Sequence, residues 1–320
     1  MKSFQSWFRI LGVLLFAYIL WTTDWAKVLD VVRGLNWWLV VLATATFFPV
    51  VMAKAWRWQS LLRMQGIRLG FGTAYHAYFA SLYLGNVTPG RAGDFIKVFY
   101  LTQECKVSLG KGFSSVLIDR FFDLFVLLLL GLVGVLLYHT SDQMVTLVMV
   151  SFVVLMAGSG VLLSRRLSQP LFRLLFERSF FKRFHGKAAQ QMEDFYEGVQ
   201  ALKKPALAVP FLLSVLSYVF FFALCYFLAL AMSIPISLPY LVLAITIVNV
   251  ISIVPVSVMG VGTRDWCLIQ LFAIKGISAA VALTYSMLLL IVLGLIASGL
   301  GAWSWFHHPL SLKDTGDEAA

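Results

Sequence analysis

Long apolar runs, separated by short polar or basic stretches, dominate the sequence. The runs that we interpret as membrane helices lie at about 10–20, 37–52, 116–137, 145–163, 210–232 and 279–303. A transmembrane helix needs about 20 predominantly apolar residues. The pattern therefore predicts an all-α integral membrane protein with about six full transmembrane helices. We interpret residues 1–306 as one polytopic membrane domain and residues 307–320 as a polar tail.

Two further apolar regions are each interrupted by proline, glycine and charged residues. The breaks contain Pro89, Gly90 and Gly93 in the first region and Pro255, Gly260 and Gly262 in the second. The apolar arms around the breaks are short for a full crossing, so we predict two re-entrant or broken-helix hairpins. Lipid cannot satisfy the backbone groups that a break frees, so this backbone must be buried in protein or line a cavity. Paired interruptions in two halves of a chain indicate an inverted repeat with a binding site between the halves.

The basic residues predict the orientation of the chain in the membrane. Lys54, Arg57, Arg63 and Arg68 follow the second apolar run with no acidic residue among them, and residues 164–204 hold nine Lys or Arg against four Asp or Glu. Positive charge favours the cytoplasmic side. We therefore place both stretches and the N-terminus in the cytoplasm, with the first hairpin entering from inside and the second from outside. Lys54 and Arg57 are interpreted as snorkelling to the interface.

The cytoplasmic stretch contains apolar residues at helical spacing. These residues are Met192, Phe195, Tyr196, Val199 and Leu202. The spacing predicts an amphipathic helix that lies on the membrane or on the protein, and a solvated loop helix is an equally good interpretation.

Composition narrows the class of protein. The 320 residues are 60% hydrophobic and only 12% charged, with a net charge of +10. The basic residues lie mainly between apolar runs and form no basic-aromatic module, so we expect no nucleic-acid partner. We find no phosphate-binding loop, nucleophile elbow or zinc-protease motif, and the three cysteines form no CxxC pair. We therefore expect no enzyme, no catalytic residue, no cofactor and no metal site.

Charged residues open the apolar run at 116–137. Asp119 and Asp123 are four positions apart and share one helix face, with Arg120 beside them. A charge at the bilayer centre costs from about 2.5 to more than 10 kcal/mol, so these residues must pair or face water. They could form internal ion pairs with Arg91 or Arg264. Alternatively, the two arginines bind a phosphate through two parallel hydrogen bonds each, and the aspartates hold them or carry protons.

Two other acidic residues follow the breaks directly. Asp94 and Asp265 stand where a short helix could begin, so we expect each to cap that helix. The same helix N-termini could instead face an anionic headgroup. The predicted substrate-binding residues are Asn86, Thr88, Arg91, Asp94, Lys97, Asp119, Arg120, Asp123, Arg264 and Asp265.

These motifs together resemble a known family. They are the run Asn86–Asp94 with Lys97 and Tyr100-Leu101, then Asp119-Arg120 with Asp123-Leu124, and then Pro255 through Gly260-Val261-Gly262 to Arg264-Asp265. In this order they are similar to the signature of the membrane domain of lysylphosphatidylglycerol synthase/flippase proteins, over roughly residues 8–305. The second motif departs from the family, which has Gly-Gly and an acid near Met259 and Thr263-Arg264.

The resemblance implies flipping of an aminoacylated phospholipid. Longer members also carry a soluble aminoacyl-transferase domain, so we expect a stand-alone member without the synthase activity. Stand-alone members are similar to proteins associated with lipid-linked sugars, hopanoids or cell-envelope lipids.

We therefore expect a flippase or transporter in a bacterial inner membrane. Its partner would be a lipid with an anionic headgroup, such as a phospholipid or a polyprenyl phosphate derivative. The alternatives are a membrane enzyme acting on a lipid phosphate, with Asp119 or Asp123 as base, and an accessory subunit of envelope lipid synthesis. The sequence leaves a homo-oligomer open.

Overall fold

The structure is a computed structural model that describes residues 21, 25–138, 142–166, 188–202, 205–253 and 261–307. These residues are almost entirely helical and contain no strand, which confirms the predicted all-α class. The predicted first helix at 10–20 and nearly all of the predicted tail lie outside the described residues.

The described helices are numbered here in chain order. They are α1 (Trp25–Arg33), α2 (Trp37–Met64), α3 (Phe71–Val87), a 3-10 segment (Pro89–Phe95), α4 (Ile96–Cys105), α5 (Leu109–Tyr138), α6 (Asp142–Leu163), α7 (Ala188–Gln200), α8 (Ala208–Ala231), α9 (Leu238–Ile253), α10 (Thr263–Ala273), α11 (Ala279–Leu289), a π-helical segment (Leu290–Ile296) and α12 (Ala297–His307).

Four helices in the described chain are long and apolar enough to cross a membrane. They are Trp37–Met64, Leu109–Leu137, Ala208–Ala231 and the continuous helix Ala279–His307. Helices α6 and α9 contain shorter apolar stretches, at Val145–Val161 and Leu238–Ser252. Large apolar side chains are exposed on these helices, among them Leu136, Val154, Leu212 and Leu295. An exposed apolar surface of this extent is the surface that lipid covers, so the chain is a multi-pass membrane protein.

Both predicted hairpin regions consist of a longer and a shorter helix. In the first, α3 has 17 residues and α4 has 10, and in the second α9 has 16 and α10 has 11. At 1.5 Å per residue these helices are about 15–26 Å long, less than the roughly 30 Å of a bilayer core. Pro255 and Gly260, predicted to break the second hairpin, lie outside the described residues. Whether either hairpin re-enters the membrane stays a prediction.

Thr88 and Gly93 hold the first break closed. The Thr88 hydroxyl donates to the Leu84 carbonyl at 2.6 Å and accepts from the Gly93 backbone N–H at 2.7 Å. A Cβ on Gly93 would lie only 2.2 Å from the Leu84 carbonyl carbon. The 3-10 segment therefore lies directly on the last turn of α3, and only a glycine at position 93 allows this approach.

The helix contacts repeat between the two halves of the molecule. Helix α2 packs on α8, and the helix after each hairpin packs on the other hairpin: α5 on α9, and α12 on α3. Within each half, α2 contacts α3 and α5, as α8 contacts α9 and α11. A two-fold relation between the halves would produce this reciprocal pattern. If each hairpin returns to the side from which it starts, α2 and α8 cross in opposite directions, as an inverted repeat requires.

The predicted amphipathic helix is α7, and its apolar face packs on the protein. Phe195, Tyr196 and Val199 are buried, in a cluster that includes Leu61 and Ile118. This burial excludes the solvated loop helix. It also shows that the helix lies on the protein and not on the membrane, because the face that would have entered the membrane is covered by α2 and α5.

Candidate functional site

A group of charged side chains, most of them buried, lies where α2, α4 and α5 meet the first break. We call it the charged cluster, and its members are Lys54, Arg57, Asp94, Lys97, Asp119, Arg120 and Asp123. Helix α5 supplies three members because positions 119, 120 and 123 lie on neighbouring parts of one helix surface. The charged cluster joins the first break and α4 to α2 and α5.

Asp119 lies at the closed end of the charged cluster. Its carboxylate accepts hydrogen bonds from Arg57 Nε at 2.8 Å, from Lys97 Nζ at 2.8 Å and from the Tyr78 hydroxyl at 3.0 Å. The side chains of Arg57, Lys97 and Asp119 are at most 1% exposed. Two cations therefore neutralise one carboxylate away from solvent, which is the arrangement that a buried charge requires.

Asp123 lies one helical turn further along α5. Its Oδ1 accepts from Lys54 Nζ at 2.7 Å and from Arg57 Nη1 at 3.1 Å. Arg57 Nη1 also donates to the Ser214 hydroxyl of α8 at 3.2 Å. The Arg57 guanidinium thus joins both carboxylates of α5 to the second half of the molecule.

Asp94 pairs with Arg120 at the more open end of the charged cluster. Gly85 leaves the space for this carboxylate, because a Cβ there would lie 2.6 Å from Asp94 Oδ1. The expectation that Asp94 caps the following helix is wrong: the N-cap of α4 is Phe95, with no side-chain cap bond, and Asp94 is the penultimate residue of the 3-10 segment. Its carboxylate pairs instead with the Arg120 guanidinium, which offers a charge-assisted partner on another helix.

The charged cluster has one more cation than carboxylates. Its four cations face three aspartates, which leaves one net positive charge among the described side chains. An excess of positive charge in a largely buried place favours the approach of an anion.

Arg264 and Asp265 form a separate set at the second break. Asp265 Oδ2 accepts from the Gly262 N–H at 2.9 Å and caps α10, so the predicted capping role is confirmed. Gly262 has a φ of 87°, which a residue without Cβ adopts without strain. Arg264 bonds Asp265 and the Ser286 hydroxyl, and Ser286 also donates to Asp265. Among the described residues Arg264 forms no ion pair with Asp119 or Asp123, so the expected pairing is wrong for Arg264 and stays a prediction for Arg91.

Asn86 connects the first hairpin region to the last long helix. Its side-chain amide donates to the Leu293 carbonyl at 3.4 Å and to the Ser298 hydroxyl at 3.1 Å, and the Gly294 carbonyl lies at 3.5 Å. Leu293 and Gly294 belong to the π-helical segment. A π turn leaves helix carbonyls without their usual partner, and such turns are frequent at functional sites. A polar side chain of α3 therefore reaches the π-helical segment of the opposite half.

The structure brings together half of the predicted substrate-binding residues. Those in the charged cluster are Asp94, Lys97, Asp119, Arg120 and Asp123. Arg264 and Asp265 lie in their own set, and Asn86 and Thr88 bond within the protein as described above. Arg91 belongs to the 3-10 segment, but its side chain lies outside what the structure describes.

The sequence did not predict that two further cations and two hydroxyl groups belong to this site. The snorkelling interpretation is wrong for Arg57, which is completely buried, and for Lys54, whose side chain is 16% exposed and bonded to Asp123. The missed hydroxyl groups belong to Tyr78 and Ser214. A usable signal was the spacing of Lys54 and Arg57, which places two cations on one helix face with no acid nearby in the sequence.

Comparison with known proteins gives one family and several relatives. The family described as lysylphosphatidylglycerol synthase TM region matches residues 9–301. The UPF0104 membrane protein MJ1595 of Methanocaldococcus jannaschii is 22% identical over 82% of this chain and 82% of its own length. A UPF0104 membrane protein of Methanothermobacter thermautotrophicus is 22% identical over 94% of this chain and 92% of its own length.

A further similarity covers a smaller part of the chain. Glycosyltransferase AglD of Haloferax volcanii is 30% identical over 128 residues, which are 40% of this chain and 20% of that protein. No solved structure matches the chain.

Proposed function

Since the chain belongs to the family of lysylphosphatidylglycerol synthase transmembrane regions, we propose that it is a lipid transporter. It moves a lipid with an anionic headgroup, a phospholipid or a polyprenyl phosphate derivative, between the leaflets of the membrane. The observation that carries this function is the charged cluster beside the break of a short-helix hairpin region. Most of its ions are buried, and its described side chains include four cations and three carboxylates.

The two-fold pattern of helix contacts supports this function. Transporters built from two inverted halves bind their substrate near the membrane midplane, where discontinuous helices meet, and move by rocking one half against the other. Here each hairpin region packs on the long helix of the opposite half. Relative motion of the halves would therefore open the breaks to one face of the membrane and then to the other.

The predicted ligands of the phosphate are Arg91 and Arg264. A planar guanidinium can donate two parallel bonds to one phosphate, and Arg264 would do so by giving up its bonds to Asp265 and Ser286. Arg91 follows Pro89-Gly90 at the first break and Arg264 opens α10 after the second, so the two hairpins would each contribute one arginine. Asn86 and Thr88 position the first break, and Asp119 and Asp123 hold the cations of the charged cluster.

The location proposed for the protein is the plasma membrane, with the N-terminus and α7 in the cytoplasm. The positive-inside distribution of Lys and Arg supports this orientation. The relatives named above are archaeal, so the proposal extends the expected bacterial inner membrane to prokaryotic plasma membranes in general.

The competing function is a membrane enzyme that acts on a lipid phosphate. The partial similarity to a glycosyltransferase favours it, although that similarity covers 20% of the relative. The bonding of both candidate bases argues against it, because a general base needs an oxygen that is free to take a proton. Three donors bind Asp119, and two donors bind Oδ1 of Asp123 while Arg120 lies near its other oxygen. We therefore propose transport without covalent chemistry.

A leaflet assay in proteoliposomes tests the proposed function. Fluorescent phospholipids and a short-chain polyprenyl phosphate are reconstituted with wild type, Arg91→Ala or the matched control Arg165→Ala, an exposed arginine paired with Glu193. We expect wild type and the control to move one lipid class faster than protein-free liposomes. Arg91→Ala should move that lipid more slowly by about tenfold or more, because loss of the guanidinium removes at least about 1.4 kcal/mol of phosphate binding.

Mass spectrometry of the same lipids separates the two functions. A transporter leaves every lipid chemically unchanged. A folded wild-type protein that moves no lipid, or one that converts a lipid covalently, would overturn the proposal.

A further inference from the structure

Building on the transport function above, we propose that Lys54 and Asp123 form a headgroup site for a lipid phosphodiester that carries hydroxyl groups. The Lys54 ammonium donates to a phosphate oxygen, and the second carboxylate oxygen of Asp123 accepts from a hydroxyl of the same headgroup. No covalent step is involved, and every ion pair of the charged cluster stays in place. The site selects hydroxyl-bearing headgroups over amine-bearing ones.

The first argument is the hydrogen-bonding capacity of Lys54. An ammonium group has three N–H donors. Among the described residues Lys54 Nζ donates to Asp123 Oδ1 alone, at 2.7 Å, and lies 5.0 Å from the centre of the Tyr218 ring. The side chain is 16% exposed. Lys54 can therefore donate to a phosphate oxygen without giving up its bond to Asp123.

The second argument is the second carboxylate oxygen of Asp123. Both hydrogen bonds that this carboxylate accepts from described donors, Lys54 and Arg57, go to Oδ1. Arg120 Nη1 lies 3.9 Å from Oδ2, which is too far for a hydrogen bond. The Asp123 side chain is 10% exposed, and Oδ2 is not one of the described polar atoms that are enclosed without a partner. This oxygen is therefore an accessible acceptor among largely buried ions.

The third argument is the number of cations around Asp123, which separates a hydroxyl from an ammonium. Lys54, Arg57 and Arg120 face this carboxylate at 2.7, 3.1 and 3.9 Å. A headgroup ammonium would be a further cation in the same place, and like charges so close together repel. A hydroxyl satisfies Oδ2 without adding charge. The three cations keep the carboxylate ionised, so it accepts the hydrogen bond without taking the proton.

The fourth argument is the location of the site between the two halves. Lys54 belongs to α2 and Asp123 to α5, whereas Tyr218 belongs to α8 of the second half. Arg57 also donates to Ser214 of α8 at 3.2 Å. Rocking of one half against the other would therefore change the surroundings of Lys54 directly. A headgroup held there is positioned to couple its binding to that motion.

Equilibrium binding to protein in phosphatidylcholine nanodiscs tests this site. The fluorescent probes are phosphatidylglycerol, which carries hydroxyl groups, phosphatidylmethanol, which has the same charge without a hydroxyl, and phosphatidylethanolamine, which carries an ammonium. We expect wild type to bind phosphatidylglycerol about tenfold more tightly than phosphatidylmethanol, the effect of one hydrogen bond to a charged group. Phosphatidylethanolamine should bind most weakly. Binding of either other lipid as tightly as phosphatidylglycerol would overturn the inference.

Lys54→Met and Asp123→Asn should have different effects on the same lipids. Lys54→Met removes the phosphate donor, so phosphatidylglycerol and phosphatidylmethanol should both bind about tenfold more weakly. Arg57 still pairs with Asp123 in this variant, so the protein should fold. Asp123→Asn removes the charged acceptor. The preference for phosphatidylglycerol over phosphatidylmethanol should then fall below about threefold, while phosphatidylmethanol binds at least as tightly as before.

A purely structural ion pair predicts another result. Its loss would weaken phosphatidylglycerol and phosphatidylmethanol in parallel in both variants, so a parallel loss in Asp123→Asn would overturn the inference. Thermal unfolding shows whether each variant folds, and the order of the three lipids on wild type decides the headgroup preference if Asp123→Asn does not. The matched control Glu197→Gln breaks the exposed pair with Lys111, also on α5, and should leave all three affinities unchanged.

A soluble molecule could offer the same chemistry as a lipid. Glycerophosphoglycerol, the deacylated form of phosphatidylglycerol, should not displace the fluorescent lipid at equal concentration. Equal displacement would assign the site to a soluble polyol phosphate and overturn the lipid ligand.

Binding and movement between leaflets are measured separately. The expected order of the three lipids on wild type, without any leaflet movement, would support the headgroup site and overturn the transport function alone. Leaflet movement without that order would overturn the headgroup site and leave the transport function standing.

Discussion

Asp119→Asn is expected to lower the free energy of unfolding by about 3–5 kcal/mol, the usual cost of removing one partner from a buried ion pair. The substitution keeps the shape of the side chain but removes its charge. Lys97 then has no carboxylate partner among the described residues, and Arg57 keeps only Asp123. Both cations remain almost completely buried, so water cannot replace the lost interaction.

Thermal and denaturant unfolding in detergent measure this effect. The double variant Asp119→Asn/Lys97→Met restores the balance of charge and should recover most of the lost free energy, because a buried pair replaced by neutral groups of similar volume is often neutral in stability. The matched control is Glu193→Gln, which breaks the exposed pair with Arg165 and should change stability by less than about 1 kcal/mol. An Asp119→Asn protein as stable as that control would contradict the burial of the charged cluster.

Gly93→Ala is expected to disrupt the first break and abolish lipid movement. The new methyl group would lie 2.2 Å from the carbonyl carbon and oxygen of Leu84 and 2.6 Å from the Gly85 nitrogen. These are backbone atoms, so no side-chain rotation relieves the clash. Overpacking of this kind costs about 1–3 kcal/mol, or the 3-10 segment must move away from α3 and carry Asp94 with it.

Gly160→Ala provides the matched control for this variant. It adds the same methyl group to α6, where nothing lies within 4 Å of the added Cβ. The leaflet assay and thermal unfolding should both show a loss for Gly93→Ala and none for Gly160→Ala. Equal transport by the two variants would show that the close approach of the break to α3 is not required.

The membrane helices were predictable because each of them is marked by a continuous run of apolar residues in the sequence. Apolar runs marked the positions of α2, α5, α8 and the last long helix, and proline with glycine marked the first break. The ends of the helices were harder to predict from the sequence. The structure extends α2 to Met64 beyond the apolar run, because polar residues at its end are buried by other helices rather than exposed at the interface.

The charged cluster was only partly predictable, because burial of a charge depends on residues distant in sequence. Arg57 lies near the end of an apolar run, which is where snorkelling is ordinarily found. Its partners Asp119 and Asp123 stand more than 60 positions away. No local pattern distinguishes an arginine that reaches water from one that reaches a carboxylate on another helix.

The error at Arg264 has a similar cause. The sequence offered two distant aspartates as partners, whereas the structure pairs Arg264 with its neighbour Asp265 and with Ser286 of α11. A serine in an apolar helix carries no signal that it will share an ion pair. The same limit applies to Ser214, which receives a bond from Arg57.

Accessibility of the first break from the two faces of the membrane shows whether the two halves rock around it. Ala92 is exposed within the 3-10 segment, beside Gly93. Ala92→Cys is made with Cys105 replaced by serine, because the other two cysteines are buried. An impermeant maleimide is then applied from one side of sealed vesicles of known orientation, with and without fluorescent phosphatidylglycerol. A transporter whose halves rock around this break predicts labelling from both sides, with the lipid slowing it on each. Labelling from one side only, unaffected by lipid, would contradict the account.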